Sequence, residues 1–262
     1  MAPQYRHIFF DATDTLLRVR GSVGAVYAPV AARHGLALTS RAIDAAFQPA
    51  MAAAPPPAFP GATPEALPCL ERDWWHAVVQ RALVPLGPFP GFEAFFAEVF
   101  AIFRTPEPWE LLPGARAALE TLRTQGRRLG LISDMDSRLL DVLAALELDH
   151  LLETVVLSPS AGFAKPDPRL FTLALERAGA TAASSAHVGD SLRADIAGAR
   201  AAGMLAIYFD SRGRGDAPAE VPAVRQLADL PALLERLERT PARDQPPDSR
   251  RLGSRTQRDR PG

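Results

Sequence analysis

His7-Ile8-Phe9-Phe10-Asp11-Ala12-Thr13-Asp14-Thr15-Leu16-Leu17 is the stretch that decides the fold. An apolar run of strand length halts at an aspartate, and small polar residues follow. Three later stretches share that design. Leu129-Gly130-Leu131-Ile132 halts at Ser133, Val155-Val156-Leu157-Ser158 leads to Lys165, and Ala186-His187-Val188-Gly189 halts at Asp190. Short apolar runs separated by helical stretches predict parallel strands of an α/β sheet, and in such sheets ligands bind beyond the carboxyl ends of the strands. Two carboxylates, a hydroxyl and an ammonium are then expected in one crevice. That set suits a magnesium ion and the phosphate of a small phosphorylated metabolite.

The spacing of the runs predicts a doubly wound, Rossmann-like parallel sheet with an inserted helical subdomain. Strand one is expected over residues 5–10, yet the second clear strand begins only near residue 128. A crossover helix needs only about a dozen residues, so residues 18–110 read as an insert. Helices are expected there over 23–35, 41–53, 69–86 and 92–103, with no persuasive strand, and the Pro55-Pro56-Pro57 stretch is a loop between them. Residues 111–239 return to regular α/β alternation. Asp167-Pro168 is a helix start with an acceptor at the N-cap and proline at the first position. A helix over 192–202, a last clear strand over 204–209 and a final helix over 231–239 complete the core. Residues 240–262 hold six arginines and three aspartates among prolines, with almost nothing to bury, and are expected to be disordered.

The 262 residues are 47% hydrophobic and 23% charged, ordinary for a globular protein, and the net charge of −1 gives no general pull toward nucleic acid or membrane. Cys69 is the only cysteine, which excludes an intrachain disulfide and fits a reducing compartment; without a catalytic context it reads as structural. No run approaches the 18 or so apolar residues of a membrane span, and the first residues lack a secretory pattern. A cytoplasmic location is expected.

Together the stations resemble the haloacid dehalogenase superfamily, subfamily IA-like with a type-one helical cap. The resemblance covers about residues 5–210 and rests on Phe9-Phe10-Asp11-Ala12-Thr13-Asp14-Thr15-Leu16-Leu17, Lys165-Pro166-Asp167-Pro168, and His187-Val188-Gly189-Asp190 with Asp195 five residues on. It implies a Mg²⁺-dependent phosphatase or phosphotransferase with Asp11 as nucleophile, forming an aspartyl-phosphate. Thr15 would supply the hydroxyl of the first motif. Ser133 and Lys165 would hold the phosphoryl group. Asp11, Asp190 and the Thr13 carbonyl would hold the metal, with Asp195 as a further ligand or a supporting group.

Three positions depart from the family pattern. Thr13 stands where its phosphatases carry a general acid–base aspartate, and a threonine hydroxyl cannot protonate a leaving group near neutral pH. The expected enzyme is therefore slow and suited to good leaving groups. Asp14 replaces a glycine and is expected to point away from the crevice. Asp134 follows Ser133 where asparagine or glycine is common, and would repel an anion unless it turns away or meets a cation. In the insert, Trp74 and Trp75 read as interior packing, and Arg18, Arg20 and Arg33 as solvated. His34 reads as a cation at a helix end and His187 as structural. Two other functions remain open on this scaffold: a carbon–halogen hydrolase that uses Asp11 without metal, and a catalytically impaired phospholigand- or partner-binding protein.

Overall fold

The computed structural model describes residues 3–239, so the expectation for the 240–262 tail lies outside the described residues. The elements run in the order β1 (His7–Phe10), β2 (Leu17–Val19), α1 (Val23–Arg33), α2 (Ser40–Ala52), α3 (Leu67–Leu83), α4 (Phe92–Ile102) and β3 (Trp109–Leu111). They continue with α5 (Ala115–Thr124), β4 (Arg128–Ser133), α6 (Arg138–Ala145), β5 (Thr154–Leu157), the single turn α7 (Ser158–Ala161) and α8 (Pro168–Ala178). The chain then forms β6 (Ser185–Gly189), a π-helical turn (Leu192–Ile196) leading into α9 (Ala197–Ala201), β7 (Leu205–Phe209), β8 (Ala223–Val224) and α10 (Leu230–Arg239).

Six strands form one parallel sheet in the order β5-β4-β1-β6-β7-β8. β1 lies between β4 and β6, so the chain winds outward to one side and returns to build the other. That reversal makes the switch point where such sheets bind ligands. Alternation along β1 serves two layers. Ile8 and Phe10 enter the core beneath α5, α6 and α10, and Phe9 enters the core beneath α8 and α9. Asp167 caps α8 by accepting from the Arg169 amide, Pro168 opens the helix, and Gly179 closes it in the left-handed conformation.

Helices α1 to α4 carry a separate core centred on Tyr27, Phe92, Phe95 and Phe96. Ser22 and Thr39 cap α1 and α2. Gly24 lets those two helices touch, since a Cβ there would stand 2.1 Å from the Ser40 carbonyl oxygen.

Several expectations need correction. The boundary of the insert is not purely helical: β2 and β3 pair antiparallel, with Leu17 opposite Leu111 and Val19 opposite Trp109. Three-residue strands are too short to show alternation, and their partners lie far apart in sequence. β8 was missed for the same lack of length, and the helix expected over 192–202 opens with a π-helical turn before α9. Cys69 is exposed on α3 and packs no core. No helix among the described residues is long and apolar enough to cross a membrane.

Beneath the sheet's amino edge, the buried Arg127 guanidinium binds Glu238 of α10 at 2.8 and 3.2 Å and the Tyr5 carbonyl at 2.7 Å. Burial pushes the Glu238 carboxyl up, but hydrogen bonds from Arg127 and the Tyr5 amide outweigh it and hold the group below its usual range. A depressed carboxylate contributes stability above its unfolded pKa, about 4.3, and that contribution fades as pH falls through the folded value. Arg127→Leu is expected to cost about 2–3 kcal/mol in urea unfolding at pH 7. The gap between parent and variant should shrink at pH 3.5.

Candidate active site

Asp11 follows β1, Ser133 ends β4, Lys165 sits in the loop after α7, and Asp190 follows β6. The sheet register therefore brings four separate segments to one crevice. The Lys165 ammonium lies 2.5 Å from Asp11 Oδ1 and 2.7 Å from Asp195 Oδ1, with all three side chains buried. Asp11 Oδ2 makes only a long contact, 3.5 Å, with the Thr15 hydroxyl. Ser133 Oγ faces the same cavity and accepts from the Met135 amide at 3.2 Å.

Asp195 is tied down from three sides. Its carboxylate accepts from Lys165, from His187 Nε2 at 2.9 Å and from the Ser191 amide at 3.1 Å. His187 is thus more than strand filling. It donates through Nε2 to a carboxylate, and its buried Nδ1 has no partner among the described residues, which matches a neutral ring kept so by burial. Gly189 makes room for the arrangement: a Cβ there would stand 2.2 Å from the Asp195 carboxyl carbon.

Negative charge is in excess. Burial, Asp195 and Asp190 push the Asp11 carboxyl up to about 7, although Lys165 pulls the other way. Burial together with Asp195 and Asp14 pushes Asp190 up to about 6. Lys165 is held above its usual value because Asp11, Asp195 and Asp134 outweigh the penalty of burying it. Oxygens of Asp11, Asp190 and Asp195 lie within 4.8 Å of one another. One ammonium among these carboxylates leaves a deficit of positive charge, and an oxygen-only donor set fits a hard divalent cation such as Mg²⁺.

The departures from the family pattern are resolved locally. Asp14 occupies the glycine position in a left-handed conformation, φ 61°, and turns outward to Arg212 at 3.1 Å. Asp134 accepts from the Lys165 amide at 3.0 Å, so it braces the lysine loop from the side. Arg18 and Arg20 both pair with Glu110, and Arg33 and His34 pair with Glu98. None of these four reaches the crevice.

Helices of the insert roof a cavity of about 650 Å³ whose floor carries Asp11, Ser133, Lys165 and Asp190. Trp75 packs against the core of the insert as expected, yet it and Trp74 are only half-buried and also line this space, together with the Pro55–Pro57 stretch. Sequence reasoning missed the junction just beyond Ser133. Asp136 accepts from the Trp75 indole of α3 and from Arg138 at 2.9 and 2.6 Å. Arg138 also donates to the Phe100 carbonyl of α4 and stacks 3.8 Å over that ring's centroid. Glu71 of α3 accepts from the Ser137 amide and hydroxyl. The only sequence signal was a charged Asp-Ser-Arg triplet at a helix start.

Comparison with known proteins shows the family and the fold. Residues 5–203 match the model of the haloacid dehalogenase-like hydrolases. The chain is 36% identical over 246 residues to haloacid dehalogenase-like hydrolase domain-containing protein 3 of Homo sapiens, covering 88% of this chain and 94% of that protein. It is 33% identical over 162 residues to a phosphoserine phosphatase of Thermus thermophilus, covering 62% and 64% respectively. Among solved structures, the HAD-hydrolase YfnB of Bacillus subtilis superposes with a TM-score of 0.65 at 21% identity, covering 88% of this chain and 99% of that one.

Gly189→Ala is expected to displace the Asp195 carboxyl and lower stability by about 1–3 kcal/mol through overpacking. The check is a thermal melt with and without Mg²⁺, where the variant should lose most of any Mg²⁺-dependent rise in Tm seen in the parent.

Proposed function

The chain belongs to the haloacid dehalogenase-like hydrolases, and from that premise we propose that it is a Mg²⁺-dependent phosphatase acting through an aspartyl-phosphate at Asp11. The supporting observation is the buried Lys165 bridging Asp11 and Asp195 beside Asp190 at the carboxyl ends of the strands. Family relatives named as phosphatases of small phosphorylated molecules favour the same reading.

In this proposal Lys165 fixes one oxygen of Asp11 and leaves the other to attack phosphorus. A P–O bond forms to that oxygen, and the bond to the substrate's bridging oxygen breaks with its electron pair. Ser133 and Lys165 donate to the transferred group's oxygens, where negative charge accumulates. Water then attacks the aspartyl-phosphate, releasing inorganic phosphate and restoring the carboxylate. Asp11, Asp190 and the Thr13 carbonyl would hold Mg²⁺, whose charge would offset the repulsion between the carboxylate and the phosphoryl oxygens. Asp195 is close enough to add charge to that site, while its hydrogen bonds hold Lys165 and His187 in place.

Thr13 lines the cavity but cannot give the departing oxygen a proton. Asp14 turned outward to Arg212 offers no substitute. General acid–base help is typically worth about 10²–10⁴-fold, so turnover of ordinary alkyl phosphates should be slow.

Asp11→Asn should abolish turnover and trapping by beryllium fluoride, a mimic of the aspartyl-phosphate. Asp190→Asn should raise the Mg²⁺ concentration for half-maximal rate at least tenfold or so. Unchanged phosphate release by Asp11→Asn, or full activity of the parent in EDTA, refutes the proposal. Thr13→Asp should raise kcat on alkyl phosphates by about tenfold or more. A folded Thr13→Asp variant with no gain removes the acid–base explanation for slowness.

A further inference from the structure

The roof of the active-site cavity points to a substrate class. We propose that the group carried on the phosphate is apolar and ring-sized, an aryl or arylalkyl phosphate, and that polyol and amino-acid phosphates are poor substrates. This rests on the phosphatase reading above and adds the identity of the leaving group.

The cavity is continuous from the Asp11–Lys165 floor to the insert, and its size lies in the range of small-ligand pockets. Rings supply its upper walls: Tyr27 from α1, Phe47 from α2, Trp74 and Trp75 from α3, and Phe100 from α4. Trp75 stacks on Phe47 with centroids 6.5 Å apart, and Trp74 meets Trp75 edge to face at 4.9 Å. These contacts hold the rings in place before a ligand arrives.

The two indoles and the buried cation of the roof are already engaged. The Trp74 indole donates to the Pro55 carbonyl at 2.9 Å, and the Trp75 indole donates to Asp136. Arg138, a buried cation lining the cavity, is neutralised by Asp136, donates to the Phe100 carbonyl, and is covered by the Phe100 and Trp75 rings. A carboxylate, an ammonium or a set of hydroxyls bound here would lose water and find at most the single Tyr27 hydroxyl in return. Each unpaired hydroxyl disfavours binding by about tenfold. An aromatic ring loses nothing of that kind and gains contact with rings on several sides.

Two features refine the class. The Tyr27 side chain is buried, and its hydroxyl makes no hydrogen bond with any described residue. It can serve one polar substituent on the bound ring. Arg193 lines the mouth of the cavity and is exposed, so a second anionic group would be met at the rim and not in the roof.

The chemistry at Thr13 is consistent with an aryl ester. Hydrolysis breaks the bond between phosphorus and the aryl oxygen, and that oxygen departs as a phenolate with the electron pair. A phenolate leaves without the proton that Thr13 cannot deliver. Water then supplies the oxygen of inorganic phosphate and Asp11 is regenerated.

The test separates binding from leaving-group chemistry by matching two alkyl esters. With Mg²⁺, kcat/KM for 2-phenylethyl phosphate should exceed that for glycerol 3-phosphate and for phosphoserine by about thirtyfold or more. Phe47→Ala should reduce that ratio at least fivefold, and Tyr27→Phe should lower kcat/KM for the ring-hydroxylated analogue more than for 2-phenylethyl phosphate itself. Equal or better turnover of glycerol 3-phosphate or phosphoserine overturns the assignment and leaves the phosphatase reading intact. If nothing is hydrolysed, the phosphatase reading fails, and titration calorimetry with 2-phenylethylphosphonate against a glycerol phosphonate decides the roof separately. Preference for the phenyl compound supports it, and equal or absent binding overturns it.

Discussion

A buried lysine ammonium between two buried carboxylates is the contact on which the rest of the molecule depends. Lys165 comes from a loop beyond β5, Asp11 from the end of β1 and Asp195 from the turn after β6. Each group alone would be costly to remove from water. Paired, they pin the lysine loop, the central strand and the π-helical turn to one another. Asp134 accepts the Lys165 amide and His187 holds Asp195 from beneath, so the ammonium's position is set by partners on both sides. The residual negative charge of Asp11, Asp190 and Asp195 is a donor set of the kind a hard divalent cation fits.

A second network joins the insert to the sheet. Asp136, Ser137 and Arg138 start α6 just beyond Ser133, and they engage Trp75 and Glu71 of α3 and Phe100 of α4. The Pro-rich loop also docks on the core, where Ser158 donates to the Pro57 carbonyl at 3.0 Å. The insert is thereby seated over the crevice by hydrogen bonds placed just beyond Ser133. Aromatic side chains between those anchors line the space above Asp11. The charged floor and the aromatic roof thus form opposite walls of one cavity, built from different parts of the chain.

Much of this was legible before any coordinates. The core strands at Thr154–Leu157 and Ser185–Gly189, the capped helix at Pro168–Ala178 and the helical insert were all readable, because apolar runs, N-cap acceptors and glycine stops are local signals. Asp11, Ser133 and Asp190 were readable as crevice residues because each lies at or next to a strand end, whereas Lys165 and Asp195 lie further along, in a loop and in the π-helical turn, and Asp195 was named only through the resemblance. β2 and β3 were not, since their stability comes from pairing with each other and from the Arg18–Glu110 ion pair across them. Trp74 and Trp75 sit on a helix whose exposed and packed faces depend on the core placed beneath it, so their place in the cavity wall could not be read from spacing.

What the sequence determined by itself was where the central core strands end, and therefore that Asp11, Ser133 and Asp190 reach the crevice; apolar runs that halt at those residues are sufficient for that. Only the tertiary structure decided which charge each of them faces. Asp11 meets a lysine 154 positions away, Asp195 meets the same lysine 30 positions away, and Asp14 turns outward to an arginine 198 positions away. Such pairings arise from Coulomb attraction and desolvation acting across the folded interior, and these depend on distances in space that separation along the chain does not encode.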